Sequence, residues 1–423
     1  MLCLPPGPRS RHASERLRIA EAPGINTLYG GAPNIVWAEA RGANVLDVDG
    51  NRYVDLTAGF GVAAVGHRHP RIVEAVTRQA EYLLHGLGDA AGHEVRIELA
   101  ERLIALAPMP RAQVYFAVSG ADAVEIALKT ALLARPGRSR IVAFEPAYHG
   151  LTLGALAASS RRAFRRPFAA HLHDAVLRMP FGHEDEEFET ALLAALETGD
   201  VAAVLVEPIV GREGVLVPPD GWLAGLESLC RRSDTLLIVD EVFTGFGRTG
   251  GLWACEHDVV SPDLVCCGKA LGGGLPIAAV LGAPELFAAW STPGEALHTG
   301  TFVAHPLACA AALATLDVLE DEDLVEQTIQ RGSRMAPRIA TWRRRFAPLV
   351  ATRGRGLLWG LELASTAAAA ELVERARTAG VLLLAGGAEG RVAQIAPPLV
   401  ITDRQLDGAL DVLEDALGHI APS

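Results

Sequence analysis

Of the 38 basic side chains in this 423-residue chain, 36 are arginine; the two lysines are Lys129 and Lys269. Lys269 stands in PDLVCCGKALGGG (Pro262–Gly274), between an apolar run and a glycine-rich turn. Arginine carries solvated charge as well as lysine does, but a guanidinium stays protonated and cannot form an imine, which an amine can. Other chemically capable groups stand at equivalent places. VYFAV (Val114–Val118) ends in Ser119-Gly120-Ala121, and IVAF (Ile141–Phe144) leads to Tyr148-His149-Gly150. VAAVLV (Val201–Val206) ends in Glu207, TLLIV (Thr235–Val239) in Asp240-Glu241, and DLVCC (Asp263–Cys267) in Gly268-Lys269.

These positions have meaning only if the runs are neighbouring strands. Helical patterns separate most of them, as in ADAVEIALKTALLA (Ala121–Ala134) and WLAGLESLCRR (Trp222–Arg232). Continuous apolar strands alternating with helices predict an α/β fold with a mainly parallel sheet covered on both faces. Ligands bind outside the carboxyl ends of such strands, so the listed groups would surround one crevice. Each also has a local reading. Ser119 with Asp122 resembles a helix cap, although N–H groups beside Gly120 would also hold a phosphate. Tyr148 could be core. A carboxylate such as Asp240 at the end of a buried strand needs a partner. Together the groups suit pyridoxal 5′-phosphate (PLP), which needs a lysine for its Schiff base, an anion at the pyridine nitrogen, a stacking ring and a phosphate cradle.

A net charge of −12 and few aromatic residues argue against a nucleic-acid surface. Six cysteines without a CxxC pair read as reduced thiols of a cytoplasmic protein; adjacent Cys266 and Cys267 would face opposite sides of a strand. Met1–Arg18 mixes prolines, arginines and a glutamate, so no signal peptide is expected, and Pro306–Leu316 is too short to span a membrane. Residues 1–20 are expected to be a flexible tail. Residues 21–60 would be an N-terminal segment packing with the small domain, with a β-hairpin in NVLDVDGNRYVDL (Asn44–Leu56). Residues 61–320 would form the large cofactor-binding domain and 321–423 a small α+β domain. The charged stretch Pro167–Glu189 reads as a surface excursion leading into a helix.

Five stretches resemble the class III, ornithine-aminotransferase-like family of PLP-dependent enzymes: SGADAVEIALK (Ser119–Lys129), VDEVFTGFGRTG (Val239–Gly250), PDLVCCGKALGGGLPI (Pro262–Ile277), EALHTGTFVAHPLACAAA (Glu295–Ala311) and APPLVIT (Ala396–Thr402). The resemblance runs from about Asn34 to Leu417. It implies PLP fold type I, a homodimer and ping-pong amino transfer between small-molecule amine and carbonyl substrates. It further implies that Lys269 forms the imine with PLP and Asp240 holds the pyridinium proton. Val242 and Tyr148 would flank the ring, with His149 beside it and Glu207 near its phenolic side. Ser119, Gly120 and Ala121 would bind the phosphate, joined by Thr301 from the partner chain. Phe60 and Asp89 stand where the family has pocket walls, with a surface role the alternative for Asp89; no metal is implied.

Two positions depart from the family's pattern. An arginine that often precedes APPL is here Gln394, and the gating glutamate of E-P-x-x-G-E is here Arg212. Either Arg212 takes over a substrate carboxylate, or the site no longer demands one and Arg212 is solvated or paired. An arginine fork suits a carboxylate, which favours the first. Arg353, Arg355 and Arg391 are nearby alternatives. The same fold also supports epimerases and decarboxylating transaminases. A rival from another class is a nicotinamide-dependent oxidoreductase, because GFGRTG (Gly245–Gly250) satisfies G-x-G-x-x-G. The adjacent acids Asp240 and Glu241 and the lack of a following helix pattern argue against it. DVDGN (Asp47–Asn51) and GHRHP (Gly66–Pro70) resemble metal clusters but read as a hairpin turn and a loop. The covalent expectation is direct to check: borohydride reduction of the PLP-reconstituted protein should leave a phosphopyridoxyl adduct on the Lys269 peptide by mass spectrometry. A colourless protein without that adduct would refute it.

Overall fold

A computed structural model describes residues 1–25, 34–291 and 294–421. After an N-terminal helix come three strands, β1 (Trp37–Arg41), β2 (Asn44–Asp47) and β3 (Arg52–Asp55), joined as antiparallel hairpins. The β2–β3 turn is organised by Asp47, whose carboxylate accepts from the N–H groups of Asp49 and Asn51 and from the Tyr53 hydroxyl. Residues 1–20 differ from the expected tail. Pro8–Ala20 is the helix α1, and the Asp49 carboxylate accepts from the Arg9 and Ser10 N–H groups in its first turn at 2.7 and 2.9 Å. Asn51 binds the N–H groups of Leu2 and Cys3. A hairpin turn thus satisfies donors that the helix itself cannot. Composition near the terminus could not reveal this, because the partners lie about forty residues away in sequence.

The central sheet has seven strands: β4 (Gln113–Ala117), β5 (Arg140–Glu145), β6 (Val176–Pro180), β7 (Val201–Val206), β8 (Leu236–Asp240), β9 (Leu264–Cys267) and β10 (Ala278–Gly282). Their spatial order is β4-β10-β9-β8-β7-β5-β6, with β10 antiparallel to both neighbours and the other pairs parallel. β7 to β10 are buried along their whole length, which is why they read as unbroken apolar runs. Cys267 packs into the core on one face and Cys266 into the core on the other, as alternation along a strand requires. β6 lies inside the stretch read as a surface excursion. It is a half-buried edge strand, so its apolar signal is diluted.

The C-terminal sheet comprises β11 (Leu349–Arg355), β12 (Leu358–Leu363), β14 (Leu384–Gly386) and β15 (Val392–Ile395), in the order β11-β12-β15-β14. The short β13 (Val381–Leu382) instead pairs in parallel with β3, which ties this region to the N-terminal hairpins. Arg248, wholly buried, locks the regions further by donating to the carbonyls of Leu357 and Pro397. Beside it Gly356 has φ of +57°, and a Cβ there would lie 2.5 Å from the Thr249 carbonyl carbon. Gly356→Ala therefore adds left-handed strain to a backbone clash. It should cost about 2 kcal/mol or more in urea denaturation, and an unchanged midpoint would show that the two regions do not press together there.

Candidate active site

The parallel strands bring their carboxyl ends to one side of the sheet, where Glu207 follows β7, Asp240 ends β8 and Lys269 follows β9 after one glycine. Ser119, which follows β4, caps the helix α2 (Gly120–Ala134), accepting from the Asp122 N–H at 3.2 Å. Gly120 must be glycine, because a Cβ would meet the Val242 side chain at 2.7 Å. Ser119, Gly120, Ala121, Tyr148, His149, Glu207, Asp240, Val242 and Lys269 all line one cavity of about 530 Å³. Every cofactor-binding candidate except Thr301 is brought together there.

Polar groups inside the cavity hold one another. Asp240 accepts from His149 Nδ1 at 2.8 Å and from the Val242 N–H at 3.1 Å. A carboxylate only accepts, so the His149 proton sits on Nδ1. Its Nε2 is buried without a partner among the described residues. Glu207 accepts from the Tyr148 and Gly211 N–H groups at 2.8 and 3.0 Å. Burial pushes its carboxyl up to about 7; His149 opposes the rise and Asp240 adds to it. Burial likewise pulls the Lys269 amine down to about 8, despite the attraction of Asp240 and Glu207. Phe243, which the sequence reading did not single out, lies under that amine, its ring centre 4.3 Å from Nζ.

A second cavity of about 630 Å³ shares Tyr148, Leu151, Arg212, Phe243 and Lys269 with the first. Phe60, with φ of +61°, and Gln394 line its far side. Arg212 stacks over Tyr148 with its Cζ 4.5 Å from the ring centre, and no carboxylate among the described residues pairs with it. The alternatives are committed elsewhere. Arg353 binds Glu362 and the carbonyls of Gly214 and Val215, Arg355 binds Asp220, and Arg391 binds Glu389. Gln394 spends its amide on the carbonyls of Gly211 and Arg212, bracing the loop that carries Arg212. A pair the sequence did not reveal is Arg161 with the buried Glu213 at 2.8 Å. Nothing in RRAFRR marks Arg161 for this, since its partner is 52 residues away.

Two candidates lie outside both cavities. Asp89, expected as a pocket wall, is exposed on the stretch that follows His85. Thr301 is also exposed, and its carbonyl accepts from His85 Nε2 at 3.0 Å. The metal-like motifs are otherwise occupied: His67 bonds Asp55 at 2.8 Å, His69 bonds Glu322 at 3.1 Å, and Asp47 and Asp49 organise the turn and α1. In GFGRTG the chain makes tight turns around the buried Arg248, and no α-helix opens at Gly250 to receive a pyrophosphate. Among the described residues no helix is long and apolar enough to cross a membrane.

An amine with a lowered pKa, an acid ending the adjacent strand and a glycine-lined helix start define the site of a PLP-dependent enzyme of fold type I. The family model described as aminotransferase class III matches residues 29–417, and the chain belongs to that family. It is 39% identical over 388 residues to the acetylornithine aminotransferase of Methanothermobacter thermautotrophicus, covering 91% of this chain and 93% of that one. Identity to the acetylornithine aminotransferase of Mycobacterium tuberculosis is 43% over 389 residues, covering 90% and 92%. Among solved structures, the ornithine aminotransferase of Toxoplasma gondii superposes with a TM-score of 0.86 at 33% identity, covering 96% and 94%. A PLP-bound amine transaminase from an uncultivated Pseudomonas species gives 0.87 at 28% identity, covering 95% and 99%. The protein is a PLP-dependent aminotransferase, and its own residues fit that cofactor: a buried nucleophilic amine, a fixed carboxylate and a cradle that a Cβ at 120 would fill.

The lowered amine pKa has a kinetic consequence. Below it the nitrogen is protonated and cannot attack; above it the neutral amine dominates. The rate at which apo-protein combines covalently with added PLP should therefore rise by about tenfold per pH unit and level off near 8. A plateau reached only near 10.5, the ordinary lysine value, would mean the amine is not desolvated.

Proposed function

We propose that this enzyme transfers the terminal amino group of a carboxylate-bearing amine to an oxo acid by ping-pong exchange, with Arg212 holding the substrate carboxylate. The observation that carries this reading is the uncommitted Arg212 guanidinium in the cavity that also contains Lys269. A planar fork already oriented by stacking on Tyr148 loses little freedom when a carboxylate arrives. The relatives' names favour an N-acylated diamino acid such as acetylornithine as the donor.

Bound PLP supplies an electron-withdrawing ring and a carbonyl group to which amines condense. Asp240, braced by His149, would hold a proton at the ring nitrogen and so sustain that withdrawal. Lys269 would hold the resting cofactor and, when free, could carry the proton from the amine-bearing carbon of a substrate. Its lowered pKa suits that task near neutrality. Val242 and Tyr148 would flank the cofactor, and the helix start at Ser119, Gly120 and Ala121 would offer donors to its phosphate. Glu207, whose carboxyl burial pushes up to about 7, would face the cofactor from the end of β7. Phe60, Phe164 and Leu151 supply apolar walls beside the Lys269 amine.

The active unit in this reading is a homodimer in which Thr301 reaches the phosphate of the second copy. In support, Thr301 is exposed, its hydroxyl has no partner among the described residues, and Leu297 and Phe302 nearby are 56% and 62% exposed. Six unpaired cysteines accord with a reducing, cytoplasmic setting. Arg212→Ala should raise KM for carboxylate-bearing substrates by about tenfold or more and leave the visible spectrum of the PLP-loaded enzyme intact. Unchanged steady-state kinetics would discard the role. Deuterium washout from an amino acid without loss of that absorbance would point to epimerisation instead.

A further inference from the structure

The second lysine has no part in this chemistry, yet it touches the segment that carries Thr301. Lys129 and Asp122 lie seven residues apart on α2, two turns, so both face the same side. The His298 ring bridges them: Nδ1 is 2.8 Å from Lys129 Nζ and Nε2 is 2.9 Å from Asp122 Oδ1. An ammonium only donates and a carboxylate only accepts, so His298 is neutral with its proton on Nε2. The second Asp122 oxygen accepts from the Val118 N–H at 2.9 Å, at the end of β4. The His298 carbonyl accepts from the Tyr115 hydroxyl at 2.5 Å. Side chain and backbone of His298 are therefore both held by the elements that present Ser119, Gly120 and Ala121.

The far side of Thr301 is held as well. Its own carbonyl accepts from His85 Nε2, and that of Ala304 accepts from His93 Nε2, each at 3.0 Å. The backbone around Thr301 is fixed on both flanks while its hydroxyl stays free of bonds within the described chain. Surface ion pairs contribute little to stability, so a three-member bridge here has more to do with placement. Lysine suits it because one imidazole nitrogen offers a single acceptor, which a guanidinium fork would match poorly.

We infer that His298 is a positioning residue: clamped between Asp122 and Lys129, it sets the backbone that delivers Thr301 to the cofactor phosphate of the second copy. This rests on the cross-subunit role of Thr301 proposed above.

The test is a double-mutant cycle on the full-length protein, titrating apo-enzyme with PLP and following absorbance, alongside apo melting temperature and molecular mass. Thr301→Ala and His298→Ala should each weaken PLP binding by about tenfold. The double variant should be no weaker than the weaker single, because both changes remove the same contact. Lys129→Met should act in the same direction by about threefold, and apo melting should shift by less than about 2 °C. Multiplying effects in the double variant, or normal affinity in His298→Ala beside a weakened Thr301→Ala, would overturn the inference. Normal affinity in Thr301→Ala would instead overturn the cross-subunit reading on which it rests. Should His298→Ala not fold, the cycle with Lys129→Met decides in the same way.

Discussion

Taking the Lys269 amine out of water costs more than its neighbouring carboxylates return, and its pKa falls to about 8. The same burial lifts Glu207 to about 7. A base and an acid that titrate within reach of neutral pH thus stand in one cavity, and neither would do so in solvent. The rest of the structure serves to hold these groups dry and close together. Continuous burial of β7, β8 and β9 makes the strand ends rigid, and parallel pairing puts those ends side by side. Phe243 beneath the amine and His149 against Asp240 complete the desolvation without removing the partners.

Around this centre the two cavities divide the work chemically. The first is lined by backbone donors, fixed acids and the helix start that Gly120 allows. The second has aromatic and aliphatic walls and an arginine, Arg212, with no carboxylate partner among the described residues. Its charge is simplified by pairing, since Glu213 neutralises Arg161. Arg212 is left because Gln394 binds the loop carbonyls and offers no charge of its own.

The cavity-facing residues were legible because they share a simple rule, a polar group immediately after an apolar run. Lys269, Asp240, Glu207 and Ser119 all obey it, and the sheet brings them together. Residues that act through distant partners obeyed no such rule. Arg161 finds Glu213 across 52 positions, and β6 hides in a charged stretch because an edge strand is only half buried. The N-terminal helix escaped notice for the same reason, its cap being supplied by Asp49. Asp89 is exposed on this chain, the surface position its motif leaves open beside the pocket one.

By itself the sequence determined the α/β class and the cofactor chemistry and singled out Lys269 as the candidate amine, because burial pattern and side-chain type are local properties of the chain. Tertiary structure alone decided which arginine is free, which histidine steadies Asp240 and which turn caps the first helix. Those outcomes depend on pairings between groups far apart in sequence, and charge or hydrogen-bond partners are set by three-dimensional proximity.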